Sequence, residues 1–448
     1  PTIIAVAAVL IAAVLFAGYA AAQDDGPTFE EKAALGDKLY FEDALSRPDG
    51  QACASCHTPS AGFDDPDENL PVSEGVIDGR FGNRNSPMSA YAMYAPIFQM
   101  NGEGLWIGGQ FWDGRATGAY LADGVRDPLT DQAVGPPLNP VEMANPNKVT
   151  YVVDLRENDD LATLFEEVWG EGSLDDVEMA YDQAAQSIAA FERTSLFAAF
   201  DSRYDAYLQA CIGGLKKITL GDLNDCALGI GPDARKAAEQ VLTPEEWYGL
   251  QLFMNPVNDN DGILDKKEGA ACVLCHVADW TTTADYDLPV VVPEWAPDGM
   301  VPPVFTDFTF DNLGVPKNWD NPFLYLTPNL NPDGEAFIDL GLGAFLESNT
   351  DQPWYVEGYN YTQDYGKFKV MTLRNIGATK PYAHNGYFTT LTDITDFYNT
   401  RDVGNWPDPE YPDTVNDAEL GNLGLSDSDV AALVAFMETL TDSSLAGE

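Results

Sequence analysis

CASCH, from Cys53 to His57, decides the architecture of this chain, and its pattern returns as CVLCH from Cys272 to His276. In each stretch two cysteines are separated by two residues and followed directly by a histidine. The 448-residue chain holds three histidines and six cysteines. Two histidines and four cysteines therefore belong to these motifs. His276 follows His57 by 219 positions (276 − 57), an interval that indicates a duplicated unit rather than a short repeat.

Cys-x-x-Cys-His is the attachment pattern of c-type haem. The two thiols bond to the haem vinyl groups, and the histidine becomes an axial ligand of the iron. A zinc site and a dithiol redox pair are the alternatives, but neither explains why both motifs end in histidine. The sequence therefore predicts two covalently bound haems. Their binding residues would be Cys53, Cys56, His57, Cys272, Cys275 and His276.

The supply of further iron ligands is small, because His384 is the one histidine outside the motifs. At most one haem can therefore have a second histidine ligand. Electron carriers usually close both faces of the iron, whereas catalysts leave one face open to a small molecule such as peroxide. The shortage of histidine favours an enzyme.

The charge balance is strongly acidic, with 72 acidic and 23 basic residues, a net charge of −49 and a pI near 4.1. A nucleic-acid partner is excluded, because neutralising phosphates requires lysine and arginine. Two interpretations remain open. The surface is adapted to a salty medium, or it is an electrostatic docking surface for a basic redox partner.

The first 23 residues predict export. Residues 2–22 are apolar and rich in Ala, Val and Ile, which is typical of a signal peptide or of a retained hydrophobic helix that anchors the chain in a membrane. Either alternative places the rest of the chain in the periplasm or another exported location. In such an oxidising compartment the two remaining cysteines, Cys211 and Cys226, are expected to form a disulfide.

Apolar periodicity predicts a mostly α-helical chain with long loops. Helices are expected over residues 29–42, 160–170, 177–197, 243–254 and 426–442. Residues 278–331 are rich in Pro and Asp and are expected to form a loop insertion. We predict a signal peptide or anchor over residues 1–23, two cytochrome c-like haem domains over 24–205 and 236–448, and an insertion over 206–235.

Several motifs in a fixed order give the chain a family resemblance from about Phe29 to Leu440. It resembles the bacterial di-haem cytochrome c peroxidases and their MauG relatives. The motifs are LGDKLYFEDALS before CASCH, RNSP at Arg84–Pro87, QFWDGRA at Gln110–Ala116, QAVGP at Gln132–Pro136, NPVEM at Asn139–Met143 and TLRNIGATKPYAHNGYFTTL at Thr372–Leu391.

The resemblance implies roles for residues outside the haem motifs. Trp112 would lie between the haems and pass electrons across. Glu142 would move a proton between the oxygens of a bound peroxide, in a pocket lined by Gln132 and Pro136. Arg115 would pair with a haem propionate. A calcium ion between the domains is also implied, with ligands from Asn85, Thr379 and Pro381.

Two departures from the usual family pattern point to the MauG-like branch. No histidine occurs between Leu70 and Arg84, where ordinary members carry a second ligand to the first haem. Tyr398 stands where they place a methionine ligand to the second haem, with Met371 and Met437 as alternative ligands here. A phenolate ligand lowers the haem potential relative to a thioether. His384 would then be a structural or proton-handling residue near the second haem.

The resemblance thus implies an exported enzyme that uses hydrogen peroxide to reach a high-valent di-haem state, which oxidises a partner protein or small redox protein. One alternative is a conventional cytochrome c peroxidase that takes electrons from a small cytochrome or cupredoxin. Another is a non-catalytic di-haem electron-transfer subunit of a membrane complex. MauG passes oxidising equivalents outward through a tryptophan, and Ala270 stands at that position here.

Overall fold

Helices supply nearly all the regular structure of the chain in the computed structural model, which describes residues 26–118, 127–254 and 269–445. The hydrophobic helix predicted over residues 2–22 lies outside these ranges. Within them, no helix is both long enough and apolar enough to cross a membrane.

The helices have the following bounds: α1 Phe29–Tyr40, α2 Cys53–Cys56, α3 Pro128–Ala133, α4 Lys148–Glu157, α5 Asp159–Trp169, α6 Val177–Glu192, α7 Arg203–Gly214, α8 Leu220–Ala227, α9 Gly231–Val241, α10 Pro244–Met254, α11 Gly341–Ser348, α12 Leu391–Thr400 and α13 Asp427–Glu438. Besides short 3-10 helices, three antiparallel pairs of two-residue strands complete the regular structure of the described residues. They join β1 Gln99–Met100 to β2 Trp106–Ile107, β3 Thr281–Thr282 to β4 Met300–Val301, and β5 Phe310–Asp311 to β6 Phe368–Lys369.

The first haem motif follows a helix that packs closely on another. Thr28 and Glu31 form a capping box that starts α1, which supplies partners for the unpaired N–H groups of its first turn. Helix α1 then packs along α6. A β-carbon at Gly36 would lie 1.9 Å from the carbonyl oxygen of Ser187, so only glycine permits this helix contact.

The second haem motif repeats this arrangement. Thr243 accepts a hydrogen bond from the Glu246 N–H at the start of α10, and α10 packs along the closing helix α13. A β-carbon at Gly249 would lie 1.8 Å from the carbonyl oxygen of Ala432. The two units therefore share a helix pair in glycine-mediated contact, which supports the duplication inferred from the motifs.

The segment predicted as an insertion, residues 206–235, is an integral part of the second unit. Helices α7, α8 and α9 cover it, and the predicted boundary at 205/206 falls inside α7. Their buried residues, among them Tyr207, belong to the same hydrophobic core as α10 and α13. Cys211 and Cys226 form the expected disulfide, which joins α7 to α8. Residues 278–331 contain no α-helix, as predicted.

A buried arginine ties the two units together. The Arg374 side chain is fully buried, pairs with Asp205 at 2.7 Å and donates to the carbonyl oxygen of Pro303. Its guanidinium lies near rings of both units, 5.6 Å from Tyr91 and 5.8 Å from Tyr204. This ion pair fixes the segment that carries the TLRN motif, and that segment reaches the functional site.

Candidate functional site

Two large internal cavities lie beside the two Cys-x-x-Cys-His motifs. The first cavity borders Cys53–His57 and has a volume of about 160 Å³. The second cavity borders Cys272–His276 and has a volume of about 250 Å³. A buried water requires only about 10–15 Å³, and protein interiors are otherwise closely packed. Each cavity therefore has room for a group far larger than water, at the positions where thioether-bound haem is expected.

Each motif histidine is held in the orientation that metal binding requires. His57 Nδ1 lies 3.3 Å from the Phe63 carbonyl oxygen, and His276 Nδ1 lies 3.1 Å from the Phe305 carbonyl oxygen. When the Nδ1–H donates to a carbonyl, the Nε2 lone pair is left for a metal. Burial lowers the pKa of both histidines to about 4, which keeps them in the neutral, ligating form. Sequence reasoning missed both carbonyl partners, because tertiary packing supplies them.

The four motif cysteines line the cavities, Cys53 and Cys56 the first and Cys272 and Cys275 the second. Cys53 and Cys56 lie on the single turn of α2, and the His57 N–H donates to the Cys53 carbonyl oxygen at 3.0 Å. The His276 N–H donates in the same way to the Cys272 carbonyl oxygen at 2.9 Å. One local turn thus presents two thiols and one imidazole to the same cavity, and this donor set fits a covalently attached haem.

A single wall separates the cavities, and Trp112 lies in it. Its indole borders both cavities and donates to the Asn85 carbonyl oxygen at 2.9 Å. The Trp112 carbonyl accepts from the Lys369 N–H at 2.8 Å. Residues 85–88 and 369–372 also border both sides. The structure thus places Trp112 at the border of both cavities, and its role in electron transfer stays a prediction.

Lys369 is a buried cation in this wall that sequence reasoning missed. Its Nζ donates to the Gly109 carbonyl oxygen at 2.7 Å, and burial lowers its pKa to about 7 while Asp113 opposes that shift. Lys369 stands between the apolar residues Phe368 and Val370, at the end of the two-residue strand β6. This pattern is too short to signal a functional position.

The first cavity gathers the residues that the resemblance assigns to peroxide chemistry: Gln132, Pro136, Glu142 and Arg115. Asn139 Nδ2 donates to Glu142 Oε1 at 2.7 Å. Burial raises the pKa of Glu142, while Arg115 and Asn139 oppose the shift. The Arg115 guanidinium stacks on Phe111 at 3.8 Å and contacts Asp113 at 3.1 Å.

Glu192 is a further carboxyl group of the first cavity, and sequence reasoning missed it. It is 4% exposed, and Oε2 has no hydrogen-bond partner among the described residues. Burial raises its pKa to about 8. A signal existed in the sequence, because Glu192 follows Ile188 by four residues and so shares the apolar face of α6.

The second cavity contains Tyr398, His384, Met371 and Met437. Helix α12 carries Tyr398, and burial raises the pKa of its phenol above the ordinary value near 10. The His384 ring stacks on Phe368 with centroids 3.6 Å apart, and its Nε2 lies 3.6 Å from Glu410 Oε2. The geometry thus brings together the predicted tyrosine ligand and both alternative methionines.

The predicted calcium ligands also meet at the second cavity, where Asn85, Thr379 and Pro381 all line the wall. Asn85 Nδ2 donates to the Pro381 carbonyl oxygen at 2.6 Å. A calcium ion would require the amide oxygen, not this nitrogen, to face the site. Among the described residues no three His, Cys, Asp or Glu side chains form a metal-binding cluster.

Comparison with known proteins agrees with this geometry. The family model described as di-haem cytochrome c peroxidase matches residues 30–211. The methylamine utilization protein MauG of Paracoccus denitrificans is 33% identical over 446 residues, which cover 96% of this chain and 93% of that protein. The cytochrome c peroxidase Ccp of Escherichia coli is 33% identical over 82% of this chain and 52% of that protein. The crystal structure of the diheme peroxidase BthA from Burkholderia thailandensis superposes with a TM-score of 0.68 at 27% identity, over 93% of this chain and 87% of that one.

Proposed function

The chain belongs to the family of di-haem cytochrome c peroxidases and MauG, and we propose that within this family it is a MauG-like enzyme that uses hydrogen peroxide to oxidise a partner. Membership implies an oxidoreductase with two c-type haems. One observation carries the proposal: Trp112 lies between two cavities that each present an oriented histidine, while His57 is the only histidine among the described residues that border the first cavity.

In the first cavity the protein's own task is to bind peroxide and move its protons. Bound haem supplies the iron at which peroxide is reduced. Glu142 takes a proton from one peroxide oxygen and returns it to the other, so that the departing oxygen leaves as water. Asn139 holds Oε1 of Glu142, which leaves Oε2 for the transfer. Gln132 and Pro136 shape the pocket, and Arg115 offers positive charge to a haem propionate.

In the second cavity His276 and Tyr398 are the residues that would hold the iron of a bound haem. Phenolate ligation would favour oxidised iron and lower the reduction potential. His384 lies beside Glu410 and serves as a proton-handling neighbour rather than a ligand. Trp112 conducts electrons between the two cavities, because its indole borders both.

The partner and the location are also part of the proposal. The partner is a protein substrate or a small redox protein, and the chain acts in the periplasm or another exported location, with residues 2–22 as signal peptide or membrane anchor. A calcium ion held by Asn85, Thr379 and Pro381 would require the Asn85 amide to turn over.

Electron paramagnetic resonance of the ferric, haem-loaded protein tests the proposal. We expect one high-spin and one low-spin signal, both lost on stoichiometric peroxide. Tyr398→Met should change the low-spin signal. Tyr387→Met is the matched control, because Tyr387 packs in the second core without bordering the cavity. Two low-spin signals that do not change when peroxide is added would instead indicate a non-catalytic electron-transfer subunit.

A conventional cytochrome c peroxidase is the second candidate function, and one observation favours it: Met371 and Met437 both border the second cavity. A low-spin signal typical of methionine ligation in the unmodified protein, unchanged by Tyr398→Met, would select this alternative. Rapid turnover with a reduced small cytochrome would support the same conclusion.

A further inference from the structure

A row of three tyrosines leads from the second cavity to the protein surface. Tyr411 borders the cavity, and its ring lies edge-on to Tyr365 with centroids 5.8 Å apart. Tyr365 lies 6.1 Å from Tyr361, and all three side chains are partly exposed. The row therefore runs from the rim of the second cavity along the surface, with neighbouring ring centroids 5.8 and 6.1 Å apart.

Close backbone contacts hold these rings in place. A β-carbon at Gly366 would lie 2.9 Å from Tyr411 Cβ, and one at Gly343 would lie 2.4 Å from Tyr365 Cδ1. The two rings thus pack directly on glycine backbone. Asn312 Nδ2 also donates to the Tyr411 carbonyl oxygen at 2.9 Å. Fixed rings keep the spacing of the row constant.

The middle tyrosine has a proton acceptor. Its hydroxyl donates to Glu347 Oε2 at 2.8 Å, and burial together with Glu347 raises the pKa of Tyr365 to about 12. The phenol is therefore protonated near neutral pH, and losing an electron requires losing that proton as well. Glu347 is exposed, so it can pass the proton on to water.

Resting on the function proposed above, we propose that Tyr361, Tyr365 and Tyr411 carry electrons from an external donor into the second cavity. In each transfer Tyr365 gives one electron inward towards Tyr411. Its O–H bond breaks at the same time, and the released proton bonds to Glu347. One electron from the donor and the returning proton restore the phenol. Hydrogen peroxide takes up two electrons and two protons to give two waters, so one peroxide oxidises two donor molecules.

The charges around the outer end of the row define the donor class. Glu347 and Asp413 are exposed acids beside Tyr365 and Tyr411, and the nearby Lys367 is already paired with Asp364 at 2.9 Å. The row therefore opens onto negative potential, which attracts a positively charged partner. The donor is a cationic one-electron carrier, for which a reduced basic monohaem cytochrome is the probe.

The experiment uses the haem-loaded protein and the variants Tyr365→Phe and Glu347→Gln. Glu347→Gln keeps a hydrogen-bond acceptor but cannot take the proton. The control is Tyr248→Phe, which removes an exposed phenol that donates to Asp429 at 2.8 Å and borders neither cavity. Two readouts are measured after peroxide: the rate of cytochrome oxidation, and the position of spin-trap adducts by peptide mass spectrometry in the absence of donor.

We expect Tyr365→Phe and Glu347→Gln to slow cytochrome oxidation about tenfold or more, and Tyr248→Phe to stay within about twofold of the unmodified protein. Adducts should fall on the peptide that holds Tyr361 and Tyr365. The tyrosine path alone would be overturned if both variants oxidised the cytochrome as fast as the unmodified protein, or if no adduct fell on any of the three tyrosines. Failure of the unmodified protein's spectrum to respond to peroxide would overturn the proposed function itself.

Discussion

Replacing Glu142 by glutamine removes the proposed proton carrier with little change in shape. The glutamine carbonyl can still accept from Asn139, which now donates to Glu142 Oε1 at 2.7 Å, so the loop should stay in place. Proton transfer by a positioned side chain contributes about 10²–10⁴-fold. Glu192 remains as a further carboxyl in the same cavity, so we expect a loss near the lower end. The rate should fall about a hundredfold to a thousandfold, which is about 3–4 kcal/mol of barrier.

Stopped-flow absorbance of the ferric haem-loaded protein mixed with peroxide measures this rate. Glu142 acts as a base only in its carboxylate form, and burial raises its pKa. The rate should therefore rise with pH through a pKa above the ordinary glutamate value near 4.3, and the variant should lose this dependence. Glu74→Gln is the control, since Glu74 borders the same cavity but accepts from the Gly79 N–H at 2.6 Å. Equal rates in the two variants, or a pH profile unchanged in Glu142→Gln, would refute the assignment.

Three further predictions concern stability. Gly249→Ala should lower the free energy of unfolding, measured by chemical denaturation, by about 1–3 kcal/mol because it overpacks the helix contact. Gly213→Ala is the control and should be neutral or stabilising, because no atom lies within 4 Å of a β-carbon at that position. Equal effects of the two substitutions would contradict the close contact at Gly249. Arg374→Met leaves the buried Asp205 charge unpaired and should lower the free energy of unfolding by about 3–5 kcal/mol. Arg235→Met is the control and should change it very little, because Arg235 belongs to an exposed ion pair. Burial raises the folded-state pKa of Asp442 to about 6. The native state thus binds the extra proton, and the free energy of unfolding should fall by up to about 3 kcal/mol as pH rises from about 4 to 6; Asp442→Asn should flatten that slope, and an unchanged slope would contradict the assignment.

Helices with capping signals and strong apolar periodicity were predictable from sequence. Those beginning at Phe29, Pro244 and Asp427 start where Thr28, Thr243 and Ser426 supply caps, and the structure confirms all three. Such signals are local, since the cap and its partners lie within one turn.

Residues 206–235 were predicted as an insertion, and their helices were not predicted. Their buried residues stand among exposed and charged ones: Tyr207 and Leu208 in α7, Leu223 in α8 and Ala234 in α9 pack in the second core. The same segment carries glycine and several charged residues, which weaken its apolar periodicity. The contacts that join its helices to the rest of the second core are tertiary, and no local pattern encodes them.

The candidate site also contains residues that could be predicted from the sequence and residues that could not. The motif cysteines and histidines were predictable because one turn brings them together. The partners that orient the histidines are backbone carbonyls of Phe63 and Phe305, which any residue type could supply, so the sequence holds no signal for them. Glu192 and Lys369 reach the cavities through the packing of distant segments. Of these two residues, only Glu192 is signalled by the sequence, as a charged residue on an apolar helix face.

Helix α13 follows the second haem motif in the chain, and its contacts bear on haem attachment. This helix completes the second core through Gly249 and Ala432, and just beyond it Asp442 accepts a hydrogen bond from Tyr91 of the first unit at 2.8 Å. A chain in which α13 has not yet packed lacks these contacts, and Leu433 and Met437 of α13 line the second cavity. Cys272 and Cys275 should therefore be more accessible for haem attachment before α13 packs, and a chain truncated before α13 should stay open at that cavity.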